Sequence, residues 1–344
     1  MKTLKVAIVG CGNIFPMHAL SIGKLENVEL IAVCDNKEDR AIKKAEELSC
    51  RPYVNYKEMI DQEDIDVLHI CLPHYLHAEV AIYASERNIH VLTEKPMSIS
   101  IEDAEKMVQT ANDHEVTLGV IFQNRYNPGA VAIKDAIQSG ALGNVLSGKL
   151  QVTWRRTDEY YSTSDWKGTW EKEGGGVVID QAIHTLDLMR WFVNAEIDYI
   201  SANIGNRAHE IIEVEDTAEG VIAYKNGVTT AFQAINYYGY DAPVEIEVYC
   251  ENGIAKMVGD RGHIMFNDGR EIIADNDPTE IIDYGNNVKS YWGSSHIKQI
   301  KNFYEALENN VQPDITGKEA LKTQKMICNI YESGKTNSKV YVRG

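Results

Sequence analysis

The sequence predicts an α/β protein of two domains: an N-terminal doubly wound parallel sheet and a C-terminal α+β domain with an open, mainly antiparallel sheet. Two patterns predict this: alternating strand-like and helical segments in the first third, and consecutive strand-like segments later. A third observation is the length of 344 residues, more than a single core usually holds. We place the domains at 1–122 and 123–344, and leave open whether the C-terminal helices pack back on the first domain.

The first domain is predicted from β-rich segments that are apolar almost throughout, as strands buried on both faces are. These segments are LKVAIV (4–9), VELIAVC (28–34), IDVLHICL (65–72), NIHVLT (88–93) and VTLGVIF (116–122). Helical patterns lie between or beside them at 37–48, 77–87 and 100–114, the last with Ser100 as its expected N-cap. Such alternation implies parallel strands joined by right-handed crossovers.

The second domain is predicted from a helical segment at about 177–193 and the strand-like runs that follow it. These runs are YISANIGN (199–206), DTAEGVIAY (216–224), GVTTAFQAI (227–235), VEIEVYC (244–250), GIAKMVG (253–259) and HIMFN (263–267). Asn-Gly and Asp-Gly steps between several of them favour hairpins, hence antiparallel pairing. Two helical segments, 296–309 and 318–333, close the chain.

Composition and charge exclude several classes of partner. The chain has 51 acidic against 34 basic residues and a formal net charge of −17, which would repel a nucleic-acid backbone. We find neither a secretion signal nor an apolar window of the roughly 20 residues that a membrane span needs. The six cysteines are scattered without metal-ligand spacing, so we expect a cytoplasmic protein with reduced thiols and no metal site.

The stretch VAIVGCGNIF (6–15) begins like a dinucleotide-binding turn. Gly10 can form the tight turn, and Gly12 can let a pyrophosphate approach the helix that begins near Asn13. Phe15 stands where a third, small residue usually allows close packing of the helix on the strand. On these residues alone, a glycine turn without a ligand is an equally good interpretation.

Asp35 shifts that balance toward a nucleotide cofactor. It ends the second predicted strand, 23 residues after Gly12, where a carboxylate can accept hydrogen bonds from ribose hydroxyls. A negative charge there repels a 2′-phosphate, so NAD is favoured over NADP, although Lys37 and Arg40 lie nearby. The alternative is that Asp35 caps the helix at 37–48.

Two further stretches carry residue types suited to proton and hydride chemistry. TEKPMS (93–98) places Lys95 in a loop after the fourth strand, at the edge where parallel sheets bind ligands. EGGGVVIDQAIHTLD (173–187) places Asp180, His184 and Asp187 at i, i+4 and i+7, on one face of a helix. Histidine is suited to moving a proton near neutral pH, whereas a helix-stabilising pair or half of a metal site is the alternative.

Taken together, GCGNI, Asp35, Leu72-Pro73 with His77, Glu94-Lys95-Pro96 and GGGVVIDQAIH resemble the Gfo/Idh/MocA oxidoreductases. That family includes glucose–fructose oxidoreductase and inositol dehydrogenases, and the resemblance covers essentially the whole chain. It implies an N-terminal Rossmann domain that binds NAD, a substrate-binding and oligomerisation domain, and a homodimer or homotetramer.

The resemblance also implies roles for individual residues. Lys95, Asp180 and His184 form the catalytic set; we assign the hydroxyl proton to His184 and charge stabilisation to Lys95, and leave open Lys95 as the base. The cofactor side comprises Gly10, Gly12, Asn13, Ile14, Asp35, Pro73, His77, Glu94, Lys95 and Gln123. The substrate side comprises Arg125, Trp166, Asp187 and Tyr238.

The segment 152–176 is rich in aromatic and polar residues that suit the wall of a sugar site, although some of them are equally suited to the core. It looks like the branch of the family acting on nucleotide-linked amino-sugar uronates, but relatives there often have Asn at the position of Asp180. We therefore expect NAD-linked oxidation or reduction of a sugar, sugar acid, nucleotide sugar or cyclic polyol. An NAD-dependent glycosidase and a catalytically silent nucleotide-binding regulator are the alternatives.

Overall fold

The computed structural model describes residues 3–277 and 295–342, which form two compact units. The first takes in the described residues of Met1–Gln123 and Glu280–Leu321. The second takes in Asn124–Thr279 and Lys322–Gly344, again for their described residues. Each unit is built on one sheet.

The sheet of the first unit has six parallel strands in the order β3-β2-β1-β4-β5-β6. The strands are β1 Leu4–Val9, β2 Val28–Cys34, β3 Arg51–Tyr53, β4 Val67–Ile70, β5 His90–Thr93 and β6 Leu118–Val120. All five predicted strands are present, and the doubly wound parallel sheet is confirmed. The sequence did not indicate β3, because this edge strand is three residues long, contains a proline and is largely exposed.

The helices of the first unit are α1 Phe15–Ile22, α2 Glu38–Leu48, α3 Tyr56–Gln62, α4 His77–Ser85, α5 Ile101–Asp113 and α9 Ser295–Glu308. The expected cap of α5 is present, since the Ser100 hydroxyl accepts the Asp103 N–H at 3.1 Å. Asp35 is not the N-cap of α2, which is Lys37. Helix α3, which the sequence analysis missed, begins after Asn55, whose side chain accepts two backbone N–H groups.

Phe15 lies in the hydrophobic core of the first unit, with 2% of its surface exposed. It belongs to one cluster with Ile8, Val33 and Leu92 of the sheet and with Phe303 of α9. The place of the third glycine in the turn is therefore taken by a core side chain. The helix α1 that carries it packs against α9, a segment almost 300 residues later in the chain.

The sheet of the second unit has nine strands in the order β14-β13-β12-β11-β7-β10-β9-β8-β15. They are β7 Val145–Thr153, β8 Ile197–Gly205, β9 Thr217–Tyr224, β10 Thr229–Ile235, β11 Glu245–Cys250, β12 Gly253–Val258, β13 Arg261–Phe266, β14 Glu271–Ala274 and β15 Val340–Tyr341. Among these nine described strands, only β7 and β10 pair in parallel, so the predicted mainly antiparallel sheet is confirmed. The sequence patterns did not indicate β7, β14 or β15.

The helices of the second unit are α6 Pro128–Gln138, α7 Asp158–Ser162 and α8 Ile183–Val193. Helix α10, Gly317–Thr336, has its residues up to Leu321 in the first unit and its residues from Lys322 in the second. The single helix expected at about 177–193 is corrected here. Residues Val177–Ala182 form a π-helical turn before α8 begins. Because a π turn is wider than an α turn, the ideal α spacing assumed from Asp180 to His184 does not hold.

Among residues 3–277 and 295–342, we find no helix of the length and apolarity that crossing a bilayer requires. The six cysteines are free thiols. Burial raises the pKa of both Cys11 and Cys34 to about 12, so the thiols beside the glycine turn stay protonated near neutral pH.

The placement of Phe15 predicts a large effect of truncation. Phe15→Ala should lower the free energy of unfolding by about 3–4 kcal/mol, because it leaves a cavity in a closed core. Leu20→Ala on the same helix is the matched control, since Leu20 is 39% exposed and should lose far less. Urea unfolding followed by circular dichroism measures both, and equal losses would contradict the core position of Phe15.

Candidate active site

The turn after β1 is shaped for close approach of a ligand to the backbone. Gly10 has φ +95°, and a Cβ there would lie 2.2 Å from the Cys71 carbonyl oxygen, so only glycine fits. A Cβ on Gly12 would meet nothing within 4 Å, which leaves open space above the turn. The turn passes through Asn13 and Ile14 into the N-terminus of α1, where a dinucleotide pyrophosphate fits.

Asp35 follows β2 and is tied to this turn. Its Oδ2 accepts the Cys11 N–H at 2.9 Å and lies 3.2 Å from an Arg40 guanidinium nitrogen. Its Oδ1 accepts the Lys37 N–H at 2.9 Å. The carboxylate thus orders the glycine turn from the neighbouring strand while remaining next to a half-exposed cation.

Two further loops of the sheet are joined by His77. Its Nε2 lies 2.7 Å from the Leu72 carbonyl oxygen, in the loop that continues to Pro73, and its Nδ1 lies 2.7 Å from the Pro96 carbonyl oxygen. The ring is fully buried. His77 therefore links the loop after β4 to the Glu94-Lys95-Pro96 loop after β5.

Glu94 is a buried carboxylate directly before Lys95. Its Oε1 lies 3.0 Å from His18 Nε2 and 3.4 Å from His296 Nε2, and its Oε2 accepts the Lys95 N–H at 3.2 Å. Burial opposes ionisation, yet His18 and His296 together hold the pKa of Glu94 well below its usual range. The Lys95–Pro96 peptide bond is cis.

All the predicted cofactor-side residues lie at one edge of the first unit's sheet, because each follows the carboxyl end of a parallel strand. They come after β1 (Gly10, Gly12, Asn13, Ile14), β2 (Asp35), β4 (Pro73, His77), β5 (Glu94, Lys95) and β6 (Gln123). Within the described residues, the buried Oε1 of Gln123 has no hydrogen-bond donor. The edge therefore combines an open glycine turn with an acceptor available to a bound molecule, as a dinucleotide site requires.

In the second unit, the glycine run before Asp180 is held by a buried carboxylate. Glu215 accepts the N–H groups of Gly176 and Val178 at 2.8 and 3.0 Å and the Tyr331 hydroxyl at 2.9 Å. A Cβ on Gly175 would lie 2.0 Å from that hydroxyl oxygen, so the run admits no side chain there. These contacts fix where the π turn begins.

Asp180 is surrounded by donors. Its Oδ2 accepts the Tyr160 hydroxyl at 2.6 Å and lies 3.1 Å from Lys167 Nζ, which also contacts the Tyr160 oxygen. Gln181 donates to the same oxygen. The sequence patterns did not indicate Lys167, because the 13 residues that separate it from Asp180 run through irregular turns and the start of the π turn rather than a regular helical spacing.

His184, Asp187 and Arg125 differ in their surroundings. His184 is half-buried at the start of α8. Arg125 and Asp187 form a buried bidentate ion pair, both bonds 2.7 Å, and Thr323 donates to the same carboxylate at 2.6 Å. Burial works against ionisation, but the Arg125 guanidinium lowers the pKa of Asp187 to about 2. Contact of these two residues with substrate stays a prediction.

The aromatic residues expected to line a sugar site divide into two groups. Tyr161 is 3% exposed and packs with Ile212 and Val214, so it belongs to the core. Trp166 is half-buried, with Lys167 Nζ 5.0 Å from the centre of its ring, and Tyr238 is 41% exposed. These last two present faces that a ligand of the second unit can contact.

Comparison with known proteins identifies the family. A model described as oxidoreductase family, NAD-binding Rossmann fold, matches residues 4–122, and the GFO/IDH/MocA C-terminal domain matches residues 130–256. The chain belongs to the GFO/IDH/MocA family of oxidoreductases. The resemblance stated from the sequence motifs is thereby confirmed, and the first domain is an NAD-binding Rossmann domain.

Individual relatives of this GFO/IDH/MocA protein differ in their chemistry. Myo-inositol 2-dehydrogenase of Thermotoga maritima is 24% identical over 327 residues, 92% of each chain. The 2,7-anhydro-N-acetylneuraminate hydratase of Mediterraneibacter gnavus is 26% identical, over 82% of this chain and 76% of its own. The WlbA dehydrogenase of Bordetella pertussis, solved with NADH and UDP-GlcNAcA, superposes with a TM-score of 0.86 at 25% identity over 100% of both chains.

The buried Glu215 predicts a pH-dependent stability. Burial raises its pKa to about 7, above the value of about 4.3 in an unfolded chain. The folded protein therefore binds this proton more tightly, and the stabilisation present at low pH is lost as pH rises between these values, by at most about 1.4 kcal/mol per pH unit.

Glu215→Gln isolates this effect, because the amide cannot ionise. The free energy of unfolding of the wild type minus that of the variant should fall between pH 5 and 7 and level off above pH 8. A difference that stays constant from pH 4.5 to 8 would show that Glu215 is ionised throughout.

Proposed function

We propose that this protein is an NAD-dependent dehydrogenase or reductase acting on a secondary alcohol or ketone of a sugar, sugar acid, nucleotide sugar or cyclic polyol. The observation that carries the proposal is the edge of the NAD-binding sheet, where the glycine turn, Asp35 and the Glu94-Lys95 pair all follow the carboxyl ends of strands. Lys95 thus belongs to a loop at the edge where parallel sheets bind ligands, which supports a role beside the cofactor.

Oxidation of a secondary alcohol needs a hydride acceptor, which NAD supplies when bound, and a group that takes the hydroxyl proton. We assign the proton to His184, whose imidazole is matched to transfer near neutral pH. Lys95 stabilises the negative charge that develops on the substrate oxygen. In the direction of reduction the same residues donate the proton and stabilise the same oxygen.

Asp180 serves as an oriented acceptor rather than as a proton donor. Three donors converge on its Oδ2, and hydrogen bonds to a carboxylate favour its ionised form. Burial, followed by the charge of Asp180, raises the pKa of Tyr160 well above its usual value, so the hydroxyl keeps its proton and donates it.

The surroundings of Asp180 and the relatives support this substrate class. Lys167 lies over the faces of Tyr160 and Trp166, at 4.1 and 5.0 Å from the ring centres, so polar and aromatic groups stand together. Such a combination suits a polyhydroxylated ring with apolar C–H faces. The named relatives act on or bind a cyclic polyol and a nucleotide-linked sugar acid.

A reaction without net oxidation is the second candidate, because one relative carries the name of a hydratase. A lyase, hydratase or glycosidase that oxidises and re-reduces its substrate on a retained NAD would turn over without added cofactor. Product formation in the absence of free NAD distinguishes it from a dehydrogenase, which releases one NADH per alcohol oxidised.

The proposal predicts activity in an NAD-coupled screen over inositols, aldoses, uronates and UDP-sugars. Lys95→Ala should lower kcat/KM on the accepted substrate by about 10²–10³-fold, because a charge aimed at the developing alkoxide is removed. Lys106→Ala, which removes an exposed lysine of α5, is the matched control and should leave kcat/KM unchanged.

Two results would count against these roles. If the wild type neither reduces NAD nor oxidises NADH with any compound of the screen, the dehydrogenase proposal fails. If Lys95→Ala is as active as Lys106→Ala, the role given to Lys95 is wrong.

Asp35 predicts the cofactor preference. The wild type should have a higher kcat/KM for NAD than for NADP, and Asp35→Asn should reduce this ratio by about tenfold, because the charge that repels a 2′-phosphate is lost. Arg40→Ala tests the opposing cation, which lies 3.2 Å from Asp35, and should raise the ratio. A wild type that prefers NADP would show that Arg40, not Asp35, determines selection.

A further inference from the structure

A chain of buried polar side chains crosses the apolar core of the first unit, and we call it the histidine chain. His18 Nε2 lies 3.0 Å from Glu94 Oε1, His18 Nδ1 lies 2.7 Å from His69 Nδ1, and His69 Nε2 lies 2.8 Å from the Tyr304 hydroxyl. His296 stands beside it, 3.4 Å from the same Glu94 oxygen. All five side chains are buried.

The surroundings make this arrangement costly unless every donor has an acceptor. Residues such as Leu92, Cys71 and Phe303 form the apolar cluster to which Tyr304 itself belongs. The Glu94 carboxylate, the His18 and His69 imidazoles and the Tyr304 hydroxyl are stable in such a core only when they are hydrogen-bonded to one another. Purely apolar packing would fill the same space, so the polar chain requires an explanation beyond packing.

The ionised Glu94 limits the histidine chain to two proton orders. Its carboxylate is ionised and only accepts, so His18 carries a proton on Nε2 and donates it. Burial holds the pKa of His69 well below its usual range, so this ring has one N–H. Either that N–H is on Nδ1 and Tyr304 donates to Nε2, or it is on Nε2 and His18 donates to Nδ1.

A metal site is not a competing explanation for these residues. The 2.7 Å between the two Nδ1 atoms is a direct hydrogen-bond distance and leaves no room for an ion between the rings. In the parts of the chain that the structure describes, no group of three or more His, Cys, Asp or Glu side chains is placed to hold a metal.

The histidine chain ends at the Glu94-Lys95-Pro96 loop. Glu94 is bonded to His18 through Oε1 and to the Lys95 N–H through Oε2, so the direction of its carboxyl group is set from the core side. The far end is anchored on α9, which also contributes Ile300 and Phe303 to the core. A helix distant in sequence from every cofactor motif thereby supports the loop that carries Lys95.

We propose that His18 is a positioning residue for the cofactor edge: it holds the Glu94 carboxylate in the orientation that places Lys95. The hydroxyl of Tyr304, acting through His69, fixes the ring of His18. The inference rests on the proposed function, in which Glu94 and Lys95 face the bound nicotinamide cofactor.

NADH binding by the full chain tests this, measured by fluorescence titration without any substrate. His18→Leu should raise the Kd for NADH about tenfold, because Glu94 loses its charge-assisted donor. His18→Gln, whose amide can still donate to Glu94, should stay within about threefold of the wild type. Tyr304→Phe removes one hydroxyl and should raise the Kd about threefold.

Phe303→Leu is the matched control for Tyr304→Phe, since it perturbs the same turn of α9 outside the histidine chain. It should lower the thermal midpoint without changing the Kd for NADH. A His18→Leu variant that is less stable yet binds NADH within twofold of the wild type would overturn the proposal and leave His18 a core residue only. If His18→Leu does not fold, Tyr304→Phe decides: a Kd for NADH about threefold above that of the wild type supports the proposal, and an unchanged Kd overturns it.

The histidine ¹⁵N shifts provide a second readout that a merely structural role would not move. Tyr304→Phe should shift the ring nitrogens of both His69 and His18, because the two share one proton order, whereas Phe303→Leu should shift neither. A response confined to His69 would overturn the coupling. Neither readout needs turnover, so both separate a failure of this inference from a failure of the proposed sugar or polyol oxidation.

Discussion

Carboxylates that have been removed from water hold the functional loops of both units in place. In the first unit Glu94 takes donors from the core and from the backbone of Lys95. In the second, Glu215 binds the glycine run before Asp180, while Asp187 holds Arg125. A buried charge tolerates only a narrow set of donor positions, because losing one partner of such a pair costs about 3–5 kcal/mol. The loops that supply those donors are therefore held by electrostatics rather than by local backbone propensity.

The glycine turn shows the same dependence on distant groups. Its conformation needs Gly10, yet its position is set by Asp35, which accepts the Cys11 N–H from the next strand. Phe15 fills the core under the helix that follows, and α9 completes that core. The absence of a third glycine is thus compatible with NAD binding, because the position is used for packing in the core and not for contact with the cofactor.

In the second unit, Asp180 and Glu215 receive different kinds of hydrogen-bond donor. The Lys167 ammonium and the Tyr160 hydroxyl both donate to Oδ2, so the direction of the Asp180 carboxylate is fixed. The nearby Glu215 is compensated by neutral donors instead, and burial raises its pKa to about 7. The two carboxylates thus differ in their donors: a cation contributes at Asp180, and only neutral groups contribute at Glu215.

Patterns among neighbouring residues determined much of the fold and the family of this protein. Hydrophobic periodicity predicted both sheets and the five apolar strands of the first unit. Short motifs predicted the Ser100 cap and the family. Both kinds of pattern are properties of neighbouring residues. Tertiary structure decided what depends on residues far apart in the chain. The short edge strand β3, the π turn at Val177–Ala182, the Lys167–Asp180 pair and the buried path from Glu94 to Tyr304 are of this kind. The physical reason is that burial and charge compensation are properties of the folded neighbourhood, and no spacing along the sequence encodes which donors will reach a given carboxylate.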